Sequence, residues 1–157
     1  MTPGVIRTIA ICIFRDGERI LVGEGYDQSK AQTFYRPLGG TIEFGERSFD
    51  TVVRELREEI GADVANLRYL GTIENIFSYE GETGHEIVRI YEGDLVDKSL
   101  YGCQTIDGHE DTPDGPLPFK AVWVPIAQFV GGRSPLYPDG LLELLGERGW
   151  LDSRYKV

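Results

Sequence analysis

Glu55, Glu58 and Glu59 stand at spacings i, i+3 and i+4 inside the stretch Ser48 to Ile60. In that stretch Phe49, Val52, Val53, Leu56 and Ile60 recur at a helical period and define one apolar face. At about 100° per residue, the three acids fall within an arc of about 100° on the other side. Like charges on adjacent turns repel, so a solvated helix gains nothing from the arrangement. A divalent cation would reverse the sign of the interaction, because hard ions such as Mg²⁺ or Mn²⁺ take oxygen ligands. Read without a cation, the same residues form an exposed charged face with Arg54 and Arg57 as local partners.

The wider spacing favours the first reading. Gly40, Glu46, Arg54-Glu55, Glu58-Glu59 and Gly61 stand at fixed separations. Seven such identities, each with a background of about one in fifteen, would recur by chance about once in 10⁸ starting points. The segment 40–62 closely resembles the signature of the Nudix hydrolases, departing mildly at Ala62, where a bulky aliphatic is usual. The resemblance implies a single domain over 1–157 of α/β (α+β) class, an α/β/α sandwich with a central mixed sheet. It implies an enzyme that hydrolyses the pyrophosphate of a nucleoside diphosphate linked to another moiety, with Mg²⁺ or Mn²⁺ as cofactor. Carried over position by position, Glu58 and Glu59 match principal metal ligands, and Glu55 matches a ligand or general base. Arg54 matches an arginine that orients the glutamates, Glu46 a supporting glutamate, and Gly39 a position whose carbonyl ligates metal. The chemistry needs such parts. Cations neutralise and orient a polyanion that an acidic protein would repel, and they acidify a bound water. A carboxylate then takes the proton as water attacks phosphorus.

Outside the signature the choices stay open. Glu110, in Asp107-Gly108-His109-Glu110-Asp111, and Glu86, in Gly84-His85-Glu86-Ile87, are candidates for a further acid. The plainer readings are a solvated loop residue and an outward strand residue. His85 and His109 are candidates for substrate contact or simple surface residues. Arg36, just before Pro37-Leu38-Gly39-Gly40, and Arg7 and Arg89 are candidates to grip a phosphate, against a role in solubility. Phe34, Tyr35, Phe77 and Tyr79 would stack a base or pack in a core. Gly23 and Gly25 do not make a dinucleotide fingerprint, for want of a third glycine at the start of a helix.

These residues need elements to hold them. Val5 to Phe14 and Arg19 to Glu24 read as strands around an Asp16-Gly17 hairpin turn, with 25–33 a loop. Phe34 to Leu38 reads as a short extended piece that Gly39-Gly40 ends. The helix over 48–60 is expected to be capped by Ser48 and stopped by Gly61. Val64 to Tyr79 and His85 to Val96 read as long strands joined around Gly81 to Gly84. The Gly-, Pro- and acid-rich stretch 102–118 reads as a loop, Phe119 to Val124 as a strand, Ile126 to Val130 as a helical turn, and 139–147 as a C-terminal helix.

The whole composition bounds the partners. The 157 residues carry a formal net charge of -10, which argues against a nucleic-acid polymer or an anionic membrane as partner. A small anionic nucleotide-type substrate fits only if cations bridge it. Neither a basic, apolar leader nor a run long enough to span a bilayer is evident, and two cysteines make no disulfide framework. Cys12 is expected to be buried. A cytoplasmic protein is expected, and the resemblance allows a homodimer. The substrate stays open among ADP-ribose and other nucleotide sugars, dinucleoside polyphosphates and oxidised nucleoside triphosphates. Two rivals remain: a non-catalytic Nudix module that binds a nucleotide, and an acidic calcium-binding domain. The latter lacks any Asp-rich twelve-residue loop.

Overall fold

A computed structural model describes residues 4–151. The hairpin expected at Asp16-Gly17 joins β1 (Ile6–Asp16) to β2 (Arg19–Asp27). The two strands pair only at that end, Arg15 with Ile20 and Asp16 with Arg19, and then splay apart. The edges they vacate are filled by the next two strands. β3 (Gln32–Arg36) pairs antiparallel with β2, and β4 (Leu38–Thr41) pairs antiparallel with β1. Pro37, which lacks an N–H, marks the crossing from one arm to the other.

On its far edge β1 pairs in parallel with β6 (Glu82–Leu95), which pairs antiparallel with β5 (Val64–Tyr79). On the far edge of β2 lie β8 (Gly115–Pro125) and then β7 (Thr105–Thr112). The result is a mixed, curled sheet of eight strands, with one parallel pair.

β1 is buried on both faces, which explains its unbroken apolar run from Ile9 to Phe14. Its alternate residues feed two cores. Ile9, Ile11 and Ile13 pack with Phe129 of α2 (Ile126–Val130) and with Leu141 and Leu145 of α3 (Leu141–Glu147). Ala10, Cys12 and Phe14 pack with Val52 and Leu56 of α1 (Ser48–Ile60). Helices thus cover the sheet on both sides, as the α/β/α expectation requires.

Several expectations need correction. The stretch 102–118 is not a loop: past a short 3₁₀ turn at Lys98–Gly102 it forms β7 and the start of β8. Gly115 to Pro118 pairs with β7 alone, and an edge position tolerates a missing N–H. Residues 25–33 belong mostly to β2 and β3, and Gly39-Gly40 lie inside β4 instead of breaking the chain. The long β5–β6 turn is tighter than expected, with Glu80 and Gly81 both at positive φ. Ser48 is not the cap of α1: Arg47 holds that position without a side-chain bond, and the Ser48 hydroxyl meets the Tyr91 hydroxyl at 2.6 Å. Gly61 does end the helix, in the left-handed region at φ 66°. The C-terminal helix begins two residues later than expected, at Leu141. No helix among the described residues is long and apolar enough to cross a membrane.

Candidate active site

The splay of β1 from β2 opens a cleft of about 760 Å³, lined by both arms, α1 and the β7–β8 hairpin. Part of its lining is carboxylate. Glu55, Glu58 and Glu59 reach it from α1, beside Gly39 and Gly40 of β4. Gly39 has a φ of 152°, and a Cβ there would sit 2.0 Å from the Ala10 carbonyl oxygen. Only glycine lets β4 lie this close to β1. At Gly40 a Cβ would fall 2.4 Å from the Glu55 carboxyl carbon, so the space it leaves belongs to that side chain.

Arg54 organises the segment between β4 and α1. Its Nε and Nη2 donate to the two Glu46 oxygens at 2.8 and 2.9 Å, and Nη2 also donates to the Thr41 carbonyl at 3.0 Å. Nη1 donates to Glu55 at 2.9 Å and to Glu58 at 3.2 Å. The bidentate pair with Arg54, helped by the Thr51 hydroxyl, pulls Glu46 down to about 2. Glu59 is pushed the other way. It is 5% exposed, and burial first, then the charges of Glu55 and Glu110, raise its pKa to about 9. Its Oε1 accepts the Gly39 N–H at 3.1 Å. Burial also raises Glu55, against the pull of Arg54.

Among the described residues, no three His, Cys, Asp or Glu side chains converge as a finished metal cage. Glu55 and Glu58 lean on Arg54, and Glu59 leans on the Gly39 amide. The donor set nevertheless suits a hard cation. It consists of oxygens, and the two carboxylates with raised pKa values are destabilised by burial and mutual repulsion, which a cation relieves.

The remaining candidates separate. Arg7, Arg36 and Glu86 come together in the cleft. Glu86 is no outward strand residue: it is 2% exposed and lies between the two arginines. Glu110 and His109 line the cleft from β7, Glu110 close enough for Glu59 to feel its charge. Arg89 lies outside the cleft lining, 4.4 Å over the Tyr69 ring and bonded to Thr72. His85 likewise lies outside it. Phe34, Phe77 and Tyr79 line the cleft, while Tyr35 packs against Phe129. Sequence reasoning missed Asn75, Thr41 and Tyr137. Their only signals are cross-strand register and long-range packing.

A family model described as the NUDIX domain matches residues 5–141. The chain belongs to the Nudix family. The match takes in the whole cleft and both arms of the sheet, well beyond the signature segment. Among similar proteins, the NAD-capped RNA hydrolase NudC of Actinobacillus succinogenes is 28% identical over 129 residues, 76% of this chain and 48% of that protein. The NudC of Pseudomonas aeruginosa is 53% identical over 38 residues, 24% of this chain and 14% of that one. The chain thus spans half or less of the curated relatives it matches. A Nudix hydrolase from Nitrosomonas europaea shares the fold, with a TM-score of 0.60 at 15% identity, covering 94% of this chain and 89% of that one.

Proposed function

We propose that this Nudix chain hydrolyses the pyrophosphate of a nucleoside diphosphate linked to a second moiety. The observation that carries the reading is that one cleft is lined together by the α1 carboxylates, by Arg7 and Arg36, and by aromatic rings. Glu58, Glu59, Glu55 and the Gly39 carbonyl would hold Mg²⁺ or Mn²⁺, which supplies neutralisation of phosphoryl oxygens and an acidified water. Arg54 and Glu46 keep the helix and the preceding loop in one register, so that the three carboxylates share one side of the cleft. A water attacking phosphorus must lose a proton, and Glu55 and Glu110, the two carboxylates whose charge reaches Glu59, are the acceptors we propose. Glu86 suits that role less, since it lies between Arg7 and Arg36. Phe34, Phe77 and Tyr79 present ring surface suited to a nucleobase.

The names of the NudC relatives make NAD-type dinucleotides members of the substrate panel beside ADP-ribose, dinucleoside polyphosphates and nucleoside triphosphates. The acidic chain has little to offer an RNA backbone, so the diphosphate linkage itself is the proposed object of recognition. The test is that panel with Mg²⁺ and with Mn²⁺, scored by product, for the wild type and Glu58→Gln. Turnover of at least one diphosphate, lost in the variant, is expected. Full turnover by Glu58→Gln would remove Glu58 from the metal site, and nucleotide binding without turnover by the wild type would remove the enzyme reading.

A further inference from the structure

A polar row crosses the part of the cleft formed by β1, β5 and β6. Asn75 on β5 pairs with Glu86 on β6, and Glu86 pairs with Arg7 on β1. Directly paired residues share a face of the sheet. Asn75 is 4% exposed and Glu86 2%, at positions where a sheet normally buries apolar side chains. Arg36 reaches the same carboxylate from the end of β3.

The contacts are loose and divided. Arg7 Nη1 lies 3.5 Å from one Glu86 oxygen, and Arg36 Nη2 lies 3.8 Å from the other. A carboxylate placed only to make a buried ion pair would be gripped by one guanidinium with two short bonds. Here two positive charges face one negative charge, and most of their donors remain uncommitted. Arg7 uses one more on the Thr41 hydroxyl at 2.8 Å, and Arg36 makes no side-chain hydrogen bond among the described residues. The Asn75 carbonyl oxygen accepts the Asp139 N–H at 3.4 Å. Its amide NH₂ has no protein partner among the described residues, and Asn75 lines the cleft. The uncommitted donors of Arg7, Arg36 and Asn75 line one cleft with the α1 carboxylates, and Glu59 feels the charge of Arg36.

We propose that Arg7, Arg36 and Asn75, aligned by the buried Glu86, form an oxyanion clamp for the phosphoryl group of the substrate that is not engaged at the α1 carboxylates. Glu86 is then a positioning residue, not the general base. The identity of the anion rests on the pyrophosphohydrolase reading, whereas the clamp itself rests on the geometry.

Inorganic phosphate is the probe, titrated in EDTA into the ¹⁵N-labelled full chain, with the arginine Nε–H and Asn75 amide resonances followed by NMR. Saturable shifts at Arg7, Arg36 and Asn75 are expected, with none at Arg89. Arg7→Gln and Arg36→Gln should each weaken binding about tenfold, and Arg89→Gln should not. If the arginines serve only to neutralise Glu86, the single variants will melt earlier yet bind phosphate as the wild type does. In the double variant Arg7→Gln/Glu86→Gln the Arg36 guanidinium no longer has a carboxylate to neutralise, and affinity should still stay below that of the wild type. Wild-type affinity in that double variant, or no saturable shift in the wild type, overturns the clamp. Glu58→Gln serves to separate the two readings: phosphate should still bind to it, so loss of the hydrolase reading would leave the clamp standing.

Discussion

Glu59 shows how one buried carboxylate links burial to pH. Its ordinary value of 4.5 is raised to about 9, chiefly by burial and then by Glu55 and Glu110. A group whose folded pKa lies above its unfolded one binds protons more tightly when folded. Its contribution to stability is complete below about pH 4.5 and is lost as pH rises through about 9. In EDTA the protein should therefore lose stability between those limits. Glu59→Gln cannot ionise, so thermal melts of the variant should show a flatter decline and a higher Tm at the alkaline end. An unchanged slope would mean that Glu59 is already charged without a cation. Gly40 is the second test at this scale. A methyl group at this position would fall within 2.6 Å of three carboxyl atoms of Glu55. Gly40→Ala should displace that carboxylate and cut turnover about 10²-fold or more, while the fold, stapled by β4–β1 pairing, costs about 1–3 kcal/mol. Circular dichroism and kcat measured together decide it.

At the scale of elements, the segment between β4 and α1 is held by a single guanidinium. Lysine keeps the charge of Arg54 but not the fork that spans both Glu46 oxygens. Arg54→Lys is expected to cost about 1–3 kcal/mol at neutral pH. Glu46, held near 2 by that fork, contributes stability that is present above its ordinary 4.5 and lost as pH falls toward 2. The gap between wild type and variant should thus close on acidification, which urea melts at pH 7 and pH 3 would show. An equal gap at both would place the cost elsewhere. How legible these elements were depends on how local their signals are. α1 was readable because Val52 and Leu56 face the core at a helical period inside one segment. β7 was not, because Gly108 and the acids around it lack strand character. Gly108 is there for packing, since a Cβ would strike the Phe119 ring at 2.7 Å. The pairing of Arg7 with Glu86, 79 positions apart, was out of reach for the same reason: register between distant strands leaves no local mark. Glu55, Glu58 and Glu59 sharing one side of α1, with Arg54 bonded to two of them, was local enough to read, and their roles belong to the proposed function.

For the whole molecule, the splayed hairpin explains both the two cores and the cleft between the arms, and it bears on the net charge of -10. Much of that charge is dispersed over the surface, but Glu55, Glu58, Glu59 and Glu110 line one cavity. The metal-free fold tolerates this cluster through Arg54 and through a proton on Glu59. A divalent cation held by Glu59, as proposed, would displace that proton, so its affinity would be tied to pH by the same linkage that weakens the metal-free protein. Between about pH 6 and pH 9, calorimetric Mg²⁺ or Mn²⁺ affinity should rise up to about tenfold per pH unit, with close to one proton released on binding. Thermal melts should show the mirror image. Metal should add few degrees to Tm near pH 6 and more near pH 8.5, because the metal-free state has by then lost stability while the bound state has not. Glu59→Gln removes the titrating group, so the pH dependence of both measurements should largely vanish, together with most of the affinity. A metal-induced shift that is the same at pH 6 and pH 8.5 would show that cations bind away from Glu59, and the -10 would then be solubility charge alone.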